Sequence, residues 1–209
     1  MIKLLDILKE LNIQKKTQLG SGDNVEGETY DFISSPDKVV KKYTNINPEF
    51  KYAQYNFMSK YPEFFVKVYK ITPKYVVLEK VKVPIPGLKE LQRFVNTEAN
   101  INWKKGTGSD PDTASRNVYA TDIISGMYKE VKTRKNKVFS EILNKAEELN
   151  NFDIQNLLVK IWNFLNKLEK KVPGVEKFWF DIQKGNIGED VNGKLKLFDI
   201  GYEDEWGDY

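Results

Sequence analysis

Between residues 17 and 81 the apolar positions fall in short β-branched runs, which are typical of strands. The clearest runs are "DKVVKKY" and "KYVVLEKV". One longer segment, "NPEFKYAQYNFMSKY", separates them and places Pro48 at a favourable first helical position after Asn47. The pattern predicts the order β-β-β-α-β-β, a mostly antiparallel sheet that carries one helix.

After "VPIPG" the apolar spacing becomes helical. Helices are predicted over 88–96, about 117–149 and about 153–171. The last of them has one apolar stripe, formed by Ile154, Leu157, Leu158, Ile161, Leu165 and Leu168. We therefore expect an α+β protein with a β-rich front lobe, residues 1–82, and a helical back lobe, residues 83–209, that ends in a β-hairpin.

The composition narrows the chemistry that this chain can perform. With 33 basic and 30 acidic residues among 209, the net charge of +3 is too balanced to imply nucleic acid binding by itself. The absence of Cys and His excludes thiolate chemistry, a Ser-His-Asp triad and His-ligated metals. Carboxylates, Lys and Asn remain, and their oxygen atoms favour Mg²⁺ if a metal binds.

The N-terminal segment "MIKLLDILKEL" has helical apolar spacing, and charged residues interrupt its apolar run. It is therefore predicted to be an amphipathic packing helix and neither a signal peptide nor a membrane span. A chain without Cys also suits a reducing compartment. We expect a cytoplasmic protein without membrane association.

Three polar residues lie within strongly apolar surroundings near the C-terminus. Asp181 and Asn186 belong to "FWFDIQKGNIGED", and Asp199 belongs to "GKLKLFDIGYED". Their apolar neighbours predict burial, which is costly for such groups unless they have partners or a function. A polar turn in which Asn186 bridges backbone groups is the structural alternative.

A glycine-rich segment, "GSGDNVEG", lies between two predicted strands. Its glycines would let backbone N–H groups approach a phosphate. In the following predicted strand Val39 and Lys41 share one face, so the Lys41 ammonium could neutralise phosphate charge. A solvated lysine on a strand is the alternative interpretation of Lys41.

Taken in order along the chain, these elements resemble the protein-kinase-like superfamily, which includes aminoglycoside-phosphotransferase-type and other atypical small kinases. The order is a Gly loop, a strand Lys, a helix, a hinge strand, Asp-x4-Asn, a hairpin and Asp-x-Gly, and the resemblance is strongest over residues 178–201. It implies a two-lobed fold that uses ATP and Mg²⁺. Asp181 would be the catalytic base, and Asn186 and Asp199 would hold the metal.

The resemblance also implies a nucleotide site in the front lobe. Lys41 would contact the α- and β-phosphates, Leu78 would occupy the gatekeeper position, and Val39 would also contact the nucleotide. Backbone groups of Glu79 to Val81 would bind adenine. The glycine-rich loop that covers the ATP phosphates would be formed by Gly20, Ser21, Gly22 and Gly27.

The helix after Lys41 departs from the family pattern. No Glu occurs at the best-aligned positions 52–54, and Gln54 is uncharged. Glu49, about one turn earlier, is the candidate partner for the Lys41 ammonium.

The back lobe also departs from the family pattern. Only eight residues follow Gly201, so we expect a truncated lobe without an activation segment or later helices, as in small bacterial or phage kinases. An apparent insertion covers Thr97 to Lys137. Within it, the basic segment Lys129–Lys137 could be a solvated helix face or a docking patch for an acidic partner or RNA.

Three functional hypotheses follow from this sequence. The first is an ATP-dependent phosphotransferase that acts on Ser or Thr hydroxyls of a protein substrate. The second is a small-molecule kinase, which the "DIQKGN" loop favours and the short back lobe disfavours. The third is a pseudokinase that binds nucleotide or docks a protein. The missing helix Glu favours it, and the retention of Lys41, Asp181, Asn186 and Asp199 disfavours it.

Overall fold

The computed structural model describes residues 18–19, 27–31, 35–43, 48–99, 118–119, 121–172, 182 and 184–199. The chain divides between Val81 and Lys82 into two compact units. The described elements form a mixed α+β structure with five helices and two antiparallel sheets. This confirms the predicted α+β class. The predicted N-terminal helix lies outside the described residues.

The first unit contains a five-stranded antiparallel sheet and one helix among its described residues. The strand order is β1-β2-β3-β5-β4. The elements are β1 (Gln18–Leu19), β2 (Gly27–Asp31), β3 (Lys38–Tyr43), α1 (Pro48–Ser59), β4 (Val68–Ile71) and β5 (Tyr75–Glu79). The predicted order β-β-β-α-β-β is confirmed in these residues.

The central strands of this sheet are covered on one face by apolar packing. Val40 pairs with Tyr30 on β2 and with Val77 on β5, and all three side chains are buried. Directly paired residues share a face, whereas neighbours along a strand point to opposite faces. Val40 therefore faces the core, and Val39 and Lys41 lie on the other face, where both are half-buried.

The second unit contains four described helices and a two-stranded hairpin. Its elements are α2 (Leu88–Thr97), α3 (Ile123–Thr133), α4 (Lys137–Glu148), α5 (Phe152–Lys171), β6 (Ile187–Glu189) and β7 (Leu195–Leu197). The long helix α5 is contacted by α2, α3 and α4. Its predicted apolar stripe is buried at Ile154, Leu158, Ile161, Leu165 and Leu168, and only Leu157 is half-exposed. The periodicity thus identified the central helix of this unit.

The helical stretch predicted over about 117–149 is interrupted. Arg134 has a left-handed backbone, φ 55°, and its N–H donates to the carbonyls of Glu130 and Val131, which ends α3. A new helix starts at Lys137. The basic segment Lys129–Lys137 therefore spans two helices and the turn between them. The segment is not a single helix face. Its five basic side chains are all exposed: Lys129, Lys132, Arg134, Lys135 and Lys137.

The hairpin β6–β7 is closed by a turn that one carboxylate organises. Asp190 Oδ1 accepts hydrogen bonds from the N–H groups of Asn192 and Lys194, both at 2.8 Å. Gly193 has a φ of 76°, a conformation that glycine adopts at little cost. This turn fixes the register in which Ile187 faces Leu197.

None of the helices in the described residues is both long and apolar enough to cross a membrane.

Candidate functional site

Two of the predicted site residues leave the β6–β7 hairpin at the same end. Asn186 directly precedes β6, and Asp199 follows Phe198 at the end of β7. The Phe198 N–H donates to the Asn186 carbonyl at 3.1 Å, which continues the ladder beyond the Ile187–Leu197 pair. The structure therefore places the backbones of Asn186 and Asp199 at the same end of the hairpin. Both are half-buried.

Asp181, the predicted catalytic base, lies outside the described residues. Its neighbour Ile182 is described and buried. The Ser125 hydroxyl of α3 donates to the Ile182 carbonyl at 3.0 Å. The chain is thus fixed to α3 at the residue that follows Asp181.

A second contact fixes the same loop. The Lys184 N–H donates to Asp122 Oδ2 at 2.9 Å, and the Lys184 ammonium donates to the Thr121 carbonyl at 3.3 Å. Asp122 Oδ1 accepts from the N–H groups of Ile124 and Ser125, so the same carboxylate caps α3. One side chain therefore joins the start of α3 to the loop that precedes Asn186.

The sequence-based predictions did not include this role of Asp122 and Ser125. An Asp immediately before an apolar helical run is a recognisable N-cap signal, so the cap could have been predicted. The bond to Lys184, which is 62 residues further along the chain, has no local signal. It depends on tertiary packing of the loop against α3.

Three of the predicted nucleotide residues, Val39, Lys41 and Leu78, share one face of the sheet. On β3, Val39 pairs with Leu78 and Lys41 pairs with Val76, both on β5. Lys41 also pairs with Thr29 on β2. Because direct pairs share a face, Val39, Lys41 and Leu78 lie together, as the predicted site requires. Lys41 is half-buried, while Val76 and Leu78 are buried.

Two of the three residues that follow Leu78 already use their backbone N–H groups in hydrogen bonds within the protein. The N–H groups of Glu79 and Lys80 donate to the carbonyls of Lys67 and Asp37, both at 2.8 Å. In the described part of the chain the Val81 N–H has no hydrogen-bond partner. Of these three N–H groups, those of Glu79 and Lys80 are therefore already used within the described part of the chain.

The glycine-rich segment is described only at its end. Gly27 begins β2 and pairs with Tyr43 of β3. Gly20, Ser21 and Gly22 lie outside the described residues, so their predicted phosphate contacts stay predictions.

Helix α1 places an uncharged polar side chain in the core of the first unit. Gln54 is 1% exposed, and neither Nε2 nor Oε1 has a hydrogen-bond partner among the described residues. Glu49 lies in the first turn of α1, and its side chain is outside the described part. Its predicted contact with Lys41 stays a prediction. Gln54 is the polar group that this helix directs inward.

Replacement of Gln54 by Met is expected to raise the free energy of unfolding by about 1–2 kcal/mol, because burial of an unpaired amide is costly and Met has a similar length. Urea denaturation of the purified protein measures this change.

Gln92 supplies the matched control for that substitution. Its Nε2 donates to the Tyr119 carbonyl and its Oε1 accepts from the Ile123 N–H, both at 3.0 Å. Gln92→Met should therefore destabilise the protein by about 1–3 kcal/mol. A Gln54→Met variant that loses as much stability as Gln92→Met would contradict the assignment of Gln54 as unpaired.

No model of a known protein family matches the chain, and comparison with curated proteins gave no match. The chemistry of the two residue sets described above is therefore the basis for a functional interpretation.

Proposed function

We propose that this protein is an ATP-dependent phosphotransferase of the protein-kinase-like type, which transfers the γ-phosphoryl group to a Ser or Thr hydroxyl of a protein. Support comes from two sets of residues, one in each unit. Val39, Lys41 and Leu78 share a sheet face. The chain positions of Asn186 and Asp199 are at the same end of a hairpin.

In the proposed reaction the acceptor hydroxyl oxygen forms a bond to the γ-phosphorus of ATP. The bond from that phosphorus to the β,γ-bridging oxygen breaks, and ADP leaves with the bond's electron pair. Asp181 accepts the hydroxyl proton. Such a reaction requires positioning and charge neutralisation more than covalent catalysis, so a chain without His and Cys can perform it.

The donor atoms of Asn186 and Asp199 fit Mg²⁺. An amide oxygen and a carboxylate are hard oxygen ligands, and Mg²⁺ commonly takes one or two protein ligands together with phosphate oxygens and water. Among the described residues no group of three or more acidic side chains could hold a metal by itself. The bound ion would neutralise charge on the ATP phosphates. In this arrangement its protein ligands would be Asn186 and Asp199.

The observation that carries the proposal is the hydrogen bond from the Phe198 N–H to the Asn186 carbonyl at 3.1 Å. It joins two segments that the sequence separates by a turn and two strands. The bond puts the chain positions of an amide and a carboxylate at one end of the hairpin, and the proposed metal–phosphate site requires both residues at that end.

Replacement of Asp199 by Ala is expected to remove the gain in ATP affinity that Mg²⁺ gives, because the remaining Asn186 oxygen is a neutral ligand. Titration calorimetry with ATP, in the presence of Mg²⁺ and of EDTA, measures this gain. If the unchanged protein and Asp199→Ala bind ATP with the same affinity, both with Mg²⁺ and with EDTA, the metal assignment is contradicted.

Transfer itself is tested with radiolabelled Mg-ATP and cell lysate proteins as acceptors. The unchanged protein should label Ser or Thr of a lysate protein, and Asp199→Ala should not. Asp37→Ala, which removes an exposed carboxylate from a turn of the first unit, is the control and should retain labelling. Nucleotide binding without transfer would favour a pseudokinase, and transfer only to a small-molecule hydroxyl would favour a small-molecule kinase.

A further inference from the structure

A groove crosses the second unit where α2 meets the start of α5. It consists of two adjoining depressions of about 430 and 440 Å³, which share Glu90, Asn151 and Ile154. Phe94 and Ile154, each 6% exposed, form the apolar floor together with the half-exposed Leu157. Phe94 and Leu157 lie in different depressions, so the apolar surface continues along the groove.

Apolar surface also extends onto the rim. Leu149 lines the groove and is 47% exposed. Exposed apolar surface of this kind, next to a concave apolar floor, is typical of a surface that binds a partner.

The charges that line the groove are mainly negative. The lining contains one cation, Arg93, and three carboxylates, those of Glu90, Glu98 and Asp153. Within the described part of the chain, the carboxylates of Glu90 and Asp153 have no ion-pair or hydrogen-bond partner. The groove is therefore acidic on a chain whose net charge is +3.

Helix dipoles reduce this negative charge only in part. Glu90 and Asp153 lie in the first turns of α2 and α5. A helix N-terminus carries about half a positive charge, so a whole carboxylate charge exceeds it. The rim stays negative, and its complement is a cation.

We propose that this groove is a docking site for a protein segment in which apolar residues alternate with Lys or Arg. The apolar side chains would occupy the floor, and the cations would face Glu90 and Asp153. The groove lies entirely within the second unit and requires no nucleotide. Its test therefore measures binding and can fail or succeed independently of phosphoryl transfer.

Fluorescence anisotropy tests the proposal with a short labelled peptide of leucines and lysines. The peptide should bind the unchanged protein, and the affinity should fall as salt rises. The double variant Glu90→Lys, Asp153→Lys should weaken binding by about tenfold, because each reversal replaces an attraction at the rim with a repulsion. Leu149→Ser should weaken it by about fivefold through lost apolar burial.

The control variant reverses two exposed carboxylates of the first unit, Asp37→Lys with Glu63→Lys. It has the same net charge as the groove variant, so equal loss of affinity in both would overturn the proposal. Equal binding of a peptide with Glu in place of Lys, or with Ser in place of Leu, would also overturn it. Sedimentation provides a further test. Self-association that the groove variant abolishes would identify a second copy of the chain as the occupant, which contradicts the proposed partner.

Discussion

Replacing Asp181 with Asn is expected to lower phosphoryl transfer by about 10² or more while nucleotide affinity stays near that of the unchanged protein. The Asn side chain keeps the size of Asp and loses the ability to accept the hydroxyl proton. Steady-state transfer rates and calorimetric ATP affinities, measured on the same preparation, separate the two effects.

Asp37→Asn provides the control, since Asp37 is exposed in the turn before β3 and belongs to neither residue set. It should transfer phosphoryl groups at the unchanged rate. A collapse of ATP affinity in Asp181→Asn with normal turnover would show that Asp181 is structural, and the proposed base would then be wrong.

Replacing Glu130 with Ala is expected to destabilise the second unit by about 3–5 kcal/mol, because three buried donors lose the acceptor that they share. Glu130 is 2% exposed. Its Oε1 accepts from the Val138 N–H at 2.9 Å, and its Oε2 accepts from the Phe139 N–H at 3.0 Å and the Tyr119 hydroxyl at 2.8 Å. Substitution by Ala would leave these three donors without their acceptor.

The position of Glu130 explains the size of that effect. Val138 and Phe139 lie in the first turn of α4, and Asn136, the N-cap residue, makes no capping bond with its side chain. The carboxylate from α3 therefore caps α4, where the helix dipole also favours a negative charge. Burial and the nearby Glu130 carboxylate raise the pKa of Tyr119, which keeps its hydroxyl protonated as a donor.

Urea denaturation followed by circular dichroism measures the loss. Glu147→Ala, on the exposed surface of α4, should change the free energy of unfolding by less than about 0.5 kcal/mol. Tyr119→Phe removes one of the three donors and should cost about 1 kcal/mol. A Glu130→Ala variant as stable as Glu147→Ala would show that water replaces the carboxylate.

The sequence predicted those parts of the fold that depend on local pattern. The sheet around Val40 follows from short β-branched runs separated by turns, and the buried stripe of α5 follows from helical spacing. The hairpin that carries Asn186 and Asp199 was also predicted, and residues 190–194, "DVNGK", which separate its strands, include typical turn residues.

The features that the sequence did not predict depend on contacts between distant residues. The segment around Arg134 contains neither Gly nor Pro, so nothing local predicts its left-handed backbone. The helical stretch is interrupted between α3 and α4, where the Glu130 carboxylate accepts from N–H groups of α4. This contact forms only in the folded unit. Likewise, the sequence identified Gln54 only as an uncharged residue at the position aligned with the helix Glu, and its burial without partners among the described residues depends on tertiary packing.

The carboxylate of Asp122 has a consequence for local opening of the chain. It accepts from the amides of Ile124 and Ser125 in α3 and from the amide of Lys184 in the loop. Rotation of this one side chain away from its partners exposes all three amides to solvent together. Their hydrogen–deuterium exchange should therefore be cooperative, with similar opening free energies despite their separation in sequence. The loop before Asn186 and the first turn of α3 would then open with the same local free energy.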